Sequence, residues 1–236
     1  MAWVEEAKRG GEVQVEVEVR SVWAENLESE FELIRSAVER LPYATLDTEF
    51  PGVVHLPRGP HALLSPLDRY ALLRRNVNSL HLIQLGLTLS DACRCVTWEF
   101  NFREFDPARH PHAPDSVDLL RRSGVDLAAH RARGVAAPRS PSSWWARGSS
   151  STAPPWRGWR STAPTTSGLR GALYGGLDRV AARLGVDRPV GKSHQAGSDS
   201  LLTWRVYRRM GDAYFGDASA RSTRGDLWPL GPQRQK

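Results

Sequence analysis

Apolar residues return at two different periods along this chain, and the two periods divide it into elements. Leu27, Phe31, Ile34, Val38 and Leu41 recur at helical spacing. They predict a helix that Asn26 can cap and Pro42 stops. YATLDTEF reads as a strand running into Pro51-Gly52, a turn signal. Residues 55–68 are rich in Pro, Gly and His and read as a loop, and LDRYALLRRNVN predicts a second helix. HLIQLGLTLSD alternates Leu82, Leu85, Leu87 and Leu89 with little charge, and CVTWEFNF alternates strongly. These two stretches predict neighbouring strands joined as a hairpin near Asp91. PDSVDLLRRSGVDL predicts a helix with Asp115 as cap and Gly124 as stop. Further on, GGLDRVAARLGVD sets Leu177, Val180, Ala181 and Leu184 on one helical face. HQAGSDSLLTWRVYRRMGDAYF opens as a polar loop and continues as a helix with Leu201, Leu202, Val206 and Met210 inward.

Two ends and one middle stretch depart from this patterning. EVQVEVEVR alternates at period two, but its charge predicts an edge strand or a mobile lead-in over residues 1–20. Residues 216–236 are polar and read as a mobile tail. Between them, residues 21–215 read as one domain, interrupted at 140–168 by SPSSWWARGSSSTAPPWRGWRSTAPTTSG. That segment has no helical or strand period, yet it holds four of the nine tryptophans. A structureless loop of this length is unusual inside a compact domain, and ordinary disordered linkers are poor in aromatics.

Composition changes the picture in only a few respects. A chain of 236 residues is long enough to bury a sizeable core. No apolar window is long enough for a membrane span, and the charged N-terminus lacks an apolar signal core. Cys93 and Cys95 match no usual zinc spacing and no disulfide framework, which fits a reducing compartment. The net charge of +6 suggests nucleic acid, but five arginines and no acidic residue lie between Arg139 and Arg170. Without that stretch the chain is close to neutral, so the basic balance is a weak pointer to RNA or DNA.

The candidate chemistry centres on LDTEFPGVV. Side chains two apart on a strand share a face, so Asp47 and Glu49 aim their carboxylates at one region. Like charges held that close repel unless a cation lies between them, and hard oxygen donors suit Mg²⁺ or Mn²⁺. A lone pair of this kind is more often a solvated strand end. His194 and Asp199 in HQAGSD form a second polar group at the start of a helix, where an anion such as a phosphate can bind.

Taken together, LDTEFPGVV, LIQLGLTLSD, WEFNF, DSVDLLRRSGVD, GGLDRVAARLGV and HQAGSDSLLT resemble, in order, the poly(A)-shortening nuclease subunits of the CCR–NOT complex. The resemblance covers residues 18–135 and 174–215. It implies an α/β fold of the ribonuclease-H-like exonuclease type, a mixed sheet flanked by helices. It also implies stepwise 3′→5′ hydrolysis of poly(A) with release of 5′-AMP. By the same resemblance Asp47, Glu49 and Asp199 are metal ligands, and His194 positions or deprotonates the attacking water. The cofactor implied is a pair of Mg²⁺ or Mn²⁺ ions, about 3.5–4 Å apart in sites of this kind. The implied partners are poly(A) RNA, a large scaffold subunit and a second nuclease subunit, with no membrane and no DNA, in nucleus and cytoplasm.

One part of the family pattern is missing. The family carries a further catalytic acid in a Tyr-Asp-Phe-Gly segment, where this chain has the Ser/Trp/Arg stretch without any Asp or Glu. The fold is therefore expected to be incomplete between residues 139 and 174, and the chain as written to be inactive or nearly so. A non-catalytic scaffold of the same complex is the alternative. Codon arithmetic supplies a cause. With GC-rich codons, one T restored after the codon for Arg139 permits the reading FAELVVGSGLVLDRTAVEGLAFHGAYDFG. The missing Asp then falls across the codons of Thr165 and Thr166, and a His across those of Ser161 and Thr162.

Overall fold

The computed structural model describes residues 2–4, 16–60, 63–91, 93–137 and 175–215. Its elements in chain order are β1 (Ala2–Val4), β2 (Glu16–Val22), α1 (Leu27–Val38), β3 (Tyr43–Glu49) and α2 (Pro66–Ser79). There follow β4 (Gln84–Ser90), β5 (Arg94–Asn101), α3 (Pro114–Ser123), α4 (Leu127–Arg133), α5 (Leu177–Arg183) and α6 (Ala196–Met210), and a π turn over Gly211–Phe215. The strands form one five-stranded sheet in the order β1-β2-β5-β4-β3. The pair β2–β5 is parallel and the other three are antiparallel, so the sheet is mixed, as expected. The Ser/Trp/Arg stretch, its recovered Tyr-Asp-Phe-Gly reading and the tail 216–236 lie outside the described residues.

Strand alternation gives this sheet two unlike faces. Leu87 and Leu89 of β4 join Val96, Trp98 and Phe100 of β5 against Phe31, Ile34 and Ala37 of α1, forming the main apolar core. The opposite face carries Gly86, Thr88, Thr97, Asn101 and Gln84, and α6 lies across it. Thr45 Oγ1 donates to Ser200 O at 2.9 Å, and the Thr88 hydroxyl lies 2.8 Å from Thr97 Oγ1 and 2.9 Å from Ser200 Oγ. Buried hydroxyls satisfy one another there, which is what permits a polar face under a helix. Leu201 and Trp204 of α6 close one end on Val17 and Cys95, and Val180, Ala181 and Leu184 of α5 pack on Leu202 and Val206.

Two expectations need correction. Residues 16–20 are not a mobile lead-in, because β2 pairs along its length with β5 and is flanked on its other side by β1. Its charges do not keep it off the sheet. Arg20 bonds Glu30 through Nη2 to Oε1 at 2.9 Å and also pairs with Glu18, while Trp98 Nε1 donates to Glu30 Oε2 at 3.0 Å. Asp115 does not cap α3. Ala113 holds the cap position with Pro114 just inside, and Asp115 sits in the first turn, where its charge favours the helix N-terminus. The expected stop at Gly124 is borne out, and a second helix follows it. Gly124, at φ 102°, ends α3 in the left-handed region, and Asp126 starts α4 by accepting from Ala128 N and Ala129 N.

Candidate metal centre

The register of β3 on β4 sets Asp47 opposite Gly86 and Glu49 opposite Gln84. Both acids lie on the face that α6 covers, and the helix comes very close. A Cβ on Gly86 would stand 1.9 Å from Ala196 O, so only glycine admits the first turn of α6 here. That turn brings HQAGSD to the end of β3. Ligand atoms of Glu49, His194 and Asp199 then all fall within 4.8 Å of one another. Three of the four expected site residues thus meet. Asp47 shares their face and their electrostatic field but does not join that close group.

Electrostatics mark the site as short of positive charge. Burial, with the charge of Asp199 beside it, pushes the Asp47 carboxyl up to about 7. Burial pushes Glu49 up to about 8, with Asp47 and Asp199 adding repulsion. Oxygen donors that hold protons this tightly, packed with an imidazole, fit a divalent cation, which would relieve the repulsion that raises them. The protein itself supplies one partial counter-charge. Arg188 Nη1 lies 2.7 Å from Asp199 Oδ1, and its Nη2 lies 2.6 Å from Asp178 Oδ1. Nη1 also donates to Ser198 Oγ at 2.6 Å.

Backbone strain helps to aim these groups. His194 stands at φ 65°, a conformation non-glycine residues seldom adopt outside functional sites. Its N–H donates to Asp199 Oδ2 at 2.9 Å, tying the loop back to the helix. Gln195 anchors the same loop by donating from Nε2 to Ser123 O at 3.0 Å and accepting from Lys192 N at 2.8 Å. On the other side, Ala113 N donates to Pro51 O at 2.8 Å, and Gly52 at φ 93° fits against Ser116, so the chain leaving Glu49 is locked to α3.

The start of α6 is not open to a phosphate at its first two amides. Ala196 N donates to Gln84 Oε1 at 3.3 Å and Gly197 N to Glu99 Oε2 at 3.1 Å. Gln84, Glu99 and Arg188 went unassigned in the sequence. WEFNF and LIQLG showed Glu99 and Gln84 only as polar interruptions of alternating strands, and Arg188 lies in a stretch without periodicity. Burial, with Asp199 nearby, also raises the Glu99 carboxyl.

Comparison with known proteins places this site in context. Residues 22–136 match the family model described as CAF1 family ribonuclease, a match that ends just before Arg139. The chain is 34% identical to Probable CCR4-associated factor 1 homolog 7 of Arabidopsis thaliana, over 91% of this chain and 94% of that protein. It is 44% identical to Poly(A) ribonuclease pop2 of Schizosaccharomyces pombe over 50% of this chain and 36% of that protein. Among solved structures, the Mg²⁺- and Mn²⁺-bound form of S. pombe Pop2p superposes with a TM-score of 0.65 at 31% identity, covering 84% of this chain and 94% of that one. Yeast CAF1, co-crystallised with the NOT1 MIF4G domain, shares the fold at 22% identity with a TM-score of 0.50, over 82% of this chain and 88% of that one.

Proposed function

Because this chain belongs to the CAF1 family of ribonucleases, we propose that its site is built for 3′→5′ hydrolysis of poly(A), releasing 5′-AMP within a CCR4–NOT assembly. The observation that carries this reading is the convergence of Glu49, His194 and Asp199 within 4.8 Å, beside Asp47. The metal-bound state of S. pombe Pop2p and the poly(A) ribonuclease named among the relatives support the same chemistry. The yeast co-crystal with NOT1 supports a large scaffold subunit as partner, and the CCR4-associated names a second nuclease subunit. Such an assembly works on messenger RNA in nucleus and cytoplasm. We read residues 21–215 as its single nuclease domain, extended at its start by the rest of β2, which pairs in the same sheet from Glu16.

Asp47, Glu49 and Asp199 hold the divalent ions in this proposal. Mg²⁺ or Mn²⁺, as a two-ion site, supplies positive charge to the scissile phosphate and makes water a better nucleophile. The protein's own part is mostly placement. The rigid β3 end fixes Glu49, and the strained His194 backbone aims the imidazole that takes a proton from the attacking water. Arg188 orients Asp199 through its 2.7 Å contact with Oδ1. One family acid has no counterpart in residues 140–168, which contain neither Asp nor Glu. Ions in such a site are held less tightly and placed less well, so the polypeptide as written trims poly(A) feebly or not at all. A partner-binding role without catalysis is favoured by that one missing acid.

The experiment compares this chain with one carrying FAELVVGSGLVLDRTAVEGLAFHGAYDFG in place of residues 140–168. Both are given 5′-labelled oligo(A) with Mg²⁺ or Mn²⁺, and the products are resolved by length. Stepwise shortening by the restored chain, abolished by chelation, is expected. Strong magnesium-dependent trimming by the chain as written would refute the impairment. Inactivity of both would leave only the scaffold reading.

A further inference from the structure

Helix α6 carries Asp199 and follows directly on His194, yet its own sequence does not cap it. Gln195 occupies the cap position and makes no side-chain bond to the helix, using its amide on Ser123 and Lys192 instead. A helix start leaves several N–H groups without partners inside the helix, and a helix end buried without acceptors is costly. Here the acceptors come from the sheet. Gln84 of β4 accepts from Ala196 N, and Glu99 of β5 accepts from Gly197 N.

These two side chains are themselves braced. Gln84 is 3% exposed and donates from Nε2 to Asn101 Oδ1 at 2.8 Å. Asn101, 1% exposed, donates in turn to Ser21 Oγ at 3.1 Å and Val22 O at 3.3 Å. A continuous polar bridge therefore runs from β2 through β5 and β4 to the first turn of α6. Glycines make room for it at both ends of the contact. A Cβ on Gly86 would collide with Ala196 O, and one on Gly197 would stand 3.0 Å from Glu99 Cβ and Oε2. Glu99 at a helix N-terminus also meets the positive end of the helix dipole.

We propose that Gln84 and Glu99 are remote caps of α6 that position His194 and Asp199 against Glu49, so that metal affinity depends on two residues that are not ligands. This inference rests on the metal-centre reading for its consequence, though not for the capping itself. The bridge fixes where along β4 the helix starts. Without it the first turn frays, and His194 and Asp199 move away from the β3 carboxylates.

The test uses the full chain and its Glu99→Gln, Glu99→Leu and Gln84→Met variants. Amide hydrogen exchange is followed by NMR without metal, and Mn²⁺ binding by paramagnetic titration. Loss of this buried hydrogen bond predicts Gly197 exchange faster by about tenfold in Glu99→Leu, with Mn²⁺ binding weakened to a similar degree. Glu99→Gln keeps an acceptor of the same shape and should retain both properties within about twofold. Amides of Leu89 in the core should be unaffected in all variants. Gln84→Met serves if Glu99→Leu does not fold, with Ala196 as the reporting amide. Unchanged exchange at these amides, or equal acceleration at Leu89, overturns the proposal. If the parent chain binds no Mn²⁺, the metal-centre reading fails, while the exchange data still decide the capping.

Discussion

Raising the pH of the metal-free protein from 5 to 8 should lower its stability through Glu49. Glu49 titrates near 4.5 in an unfolded chain and at about 8 in the folded one, chiefly because it is buried. The folded state thus holds the proton more tightly. The stabilisation is full below pH 4.5 and is lost as pH rises through 8. At about 1.4 kcal/mol per tenfold change, this withdraws roughly 3 kcal/mol between pH 5 and 8. Partly buried His81 and buried His130 act in the opposite sense, since desolvation lowers both and their stabilisation is lost as pH falls below 6.5. Glu49→Gln separates these contributions, because the histidine terms are common to both proteins. Urea unfolding at pH 5, 6, 7 and 8 in chelator should show the parent losing about 3 kcal/mol relative to Glu49→Gln. Saturating Mn²⁺ should remove that loss, since the ion prefers the ionised carboxylate. A difference that stays flat with pH, or grows in the parent's favour, would refute the burial argument.

Other consequences follow from particular contacts. Asp199→Asn should abolish the Mn²⁺-induced rise in Tm, as one ligand loses its charge and Arg188 its partner; differential scanning fluorimetry reads this. Gly86→Ala should destabilise by about 2–4 kcal/mol in urea unfolding, because its methyl group would displace the first turn of α6. Arg188→Met should cost about 1–3 kcal/mol in urea unfolding, since Arg188 Nη1 lies 2.7 Å from Asp199 Oδ1 and its loss leaves a buried carboxylate without that partner. Sequencing the transcript across codons 130–180 should reveal one extra T after the codon for Arg139; confirmation of the frame as written would point to partner binding as the protein's role.

Periodicity was enough to predict most of the elements, and the family resemblance nominated the residues of which Glu49, His194 and Asp199 come together. The alternation of HLIQLGLTLSD and CVTWEFNF already implied two neighbouring strands joined as a hairpin, which β4 and β5 are. The spacing of Asp47 and Glu49 already put two carboxylates on one side of a strand. The blocks from LDTEF to HQAGSD identified the family because they are long and in order. Charge misled at β2, where it suggested an edge strand or a mobile lead-in and the strand instead lies between β1 and β5. Glu18 and Arg20 pair with each other and, beyond the strand, with Arg94 of β5 and Glu30 of α1, and charge density along one strand does not show which other elements supply partners. The same limit hid the caps of α6. A local cap would have been a Ser, Thr, Asp or Asn beside the helix, whereas Gln84 and Glu99 lie about a hundred residues upstream. Only the tertiary structure decided that Glu49 rather than Asp47 joins His194 and Asp199 most closely. Strand periodicity sets which face a side chain takes, but its distance from another element depends on how deeply that element docks. Here the depth is set by Gly86, where the missing Cβ lets a helix backbone rest on the sheet.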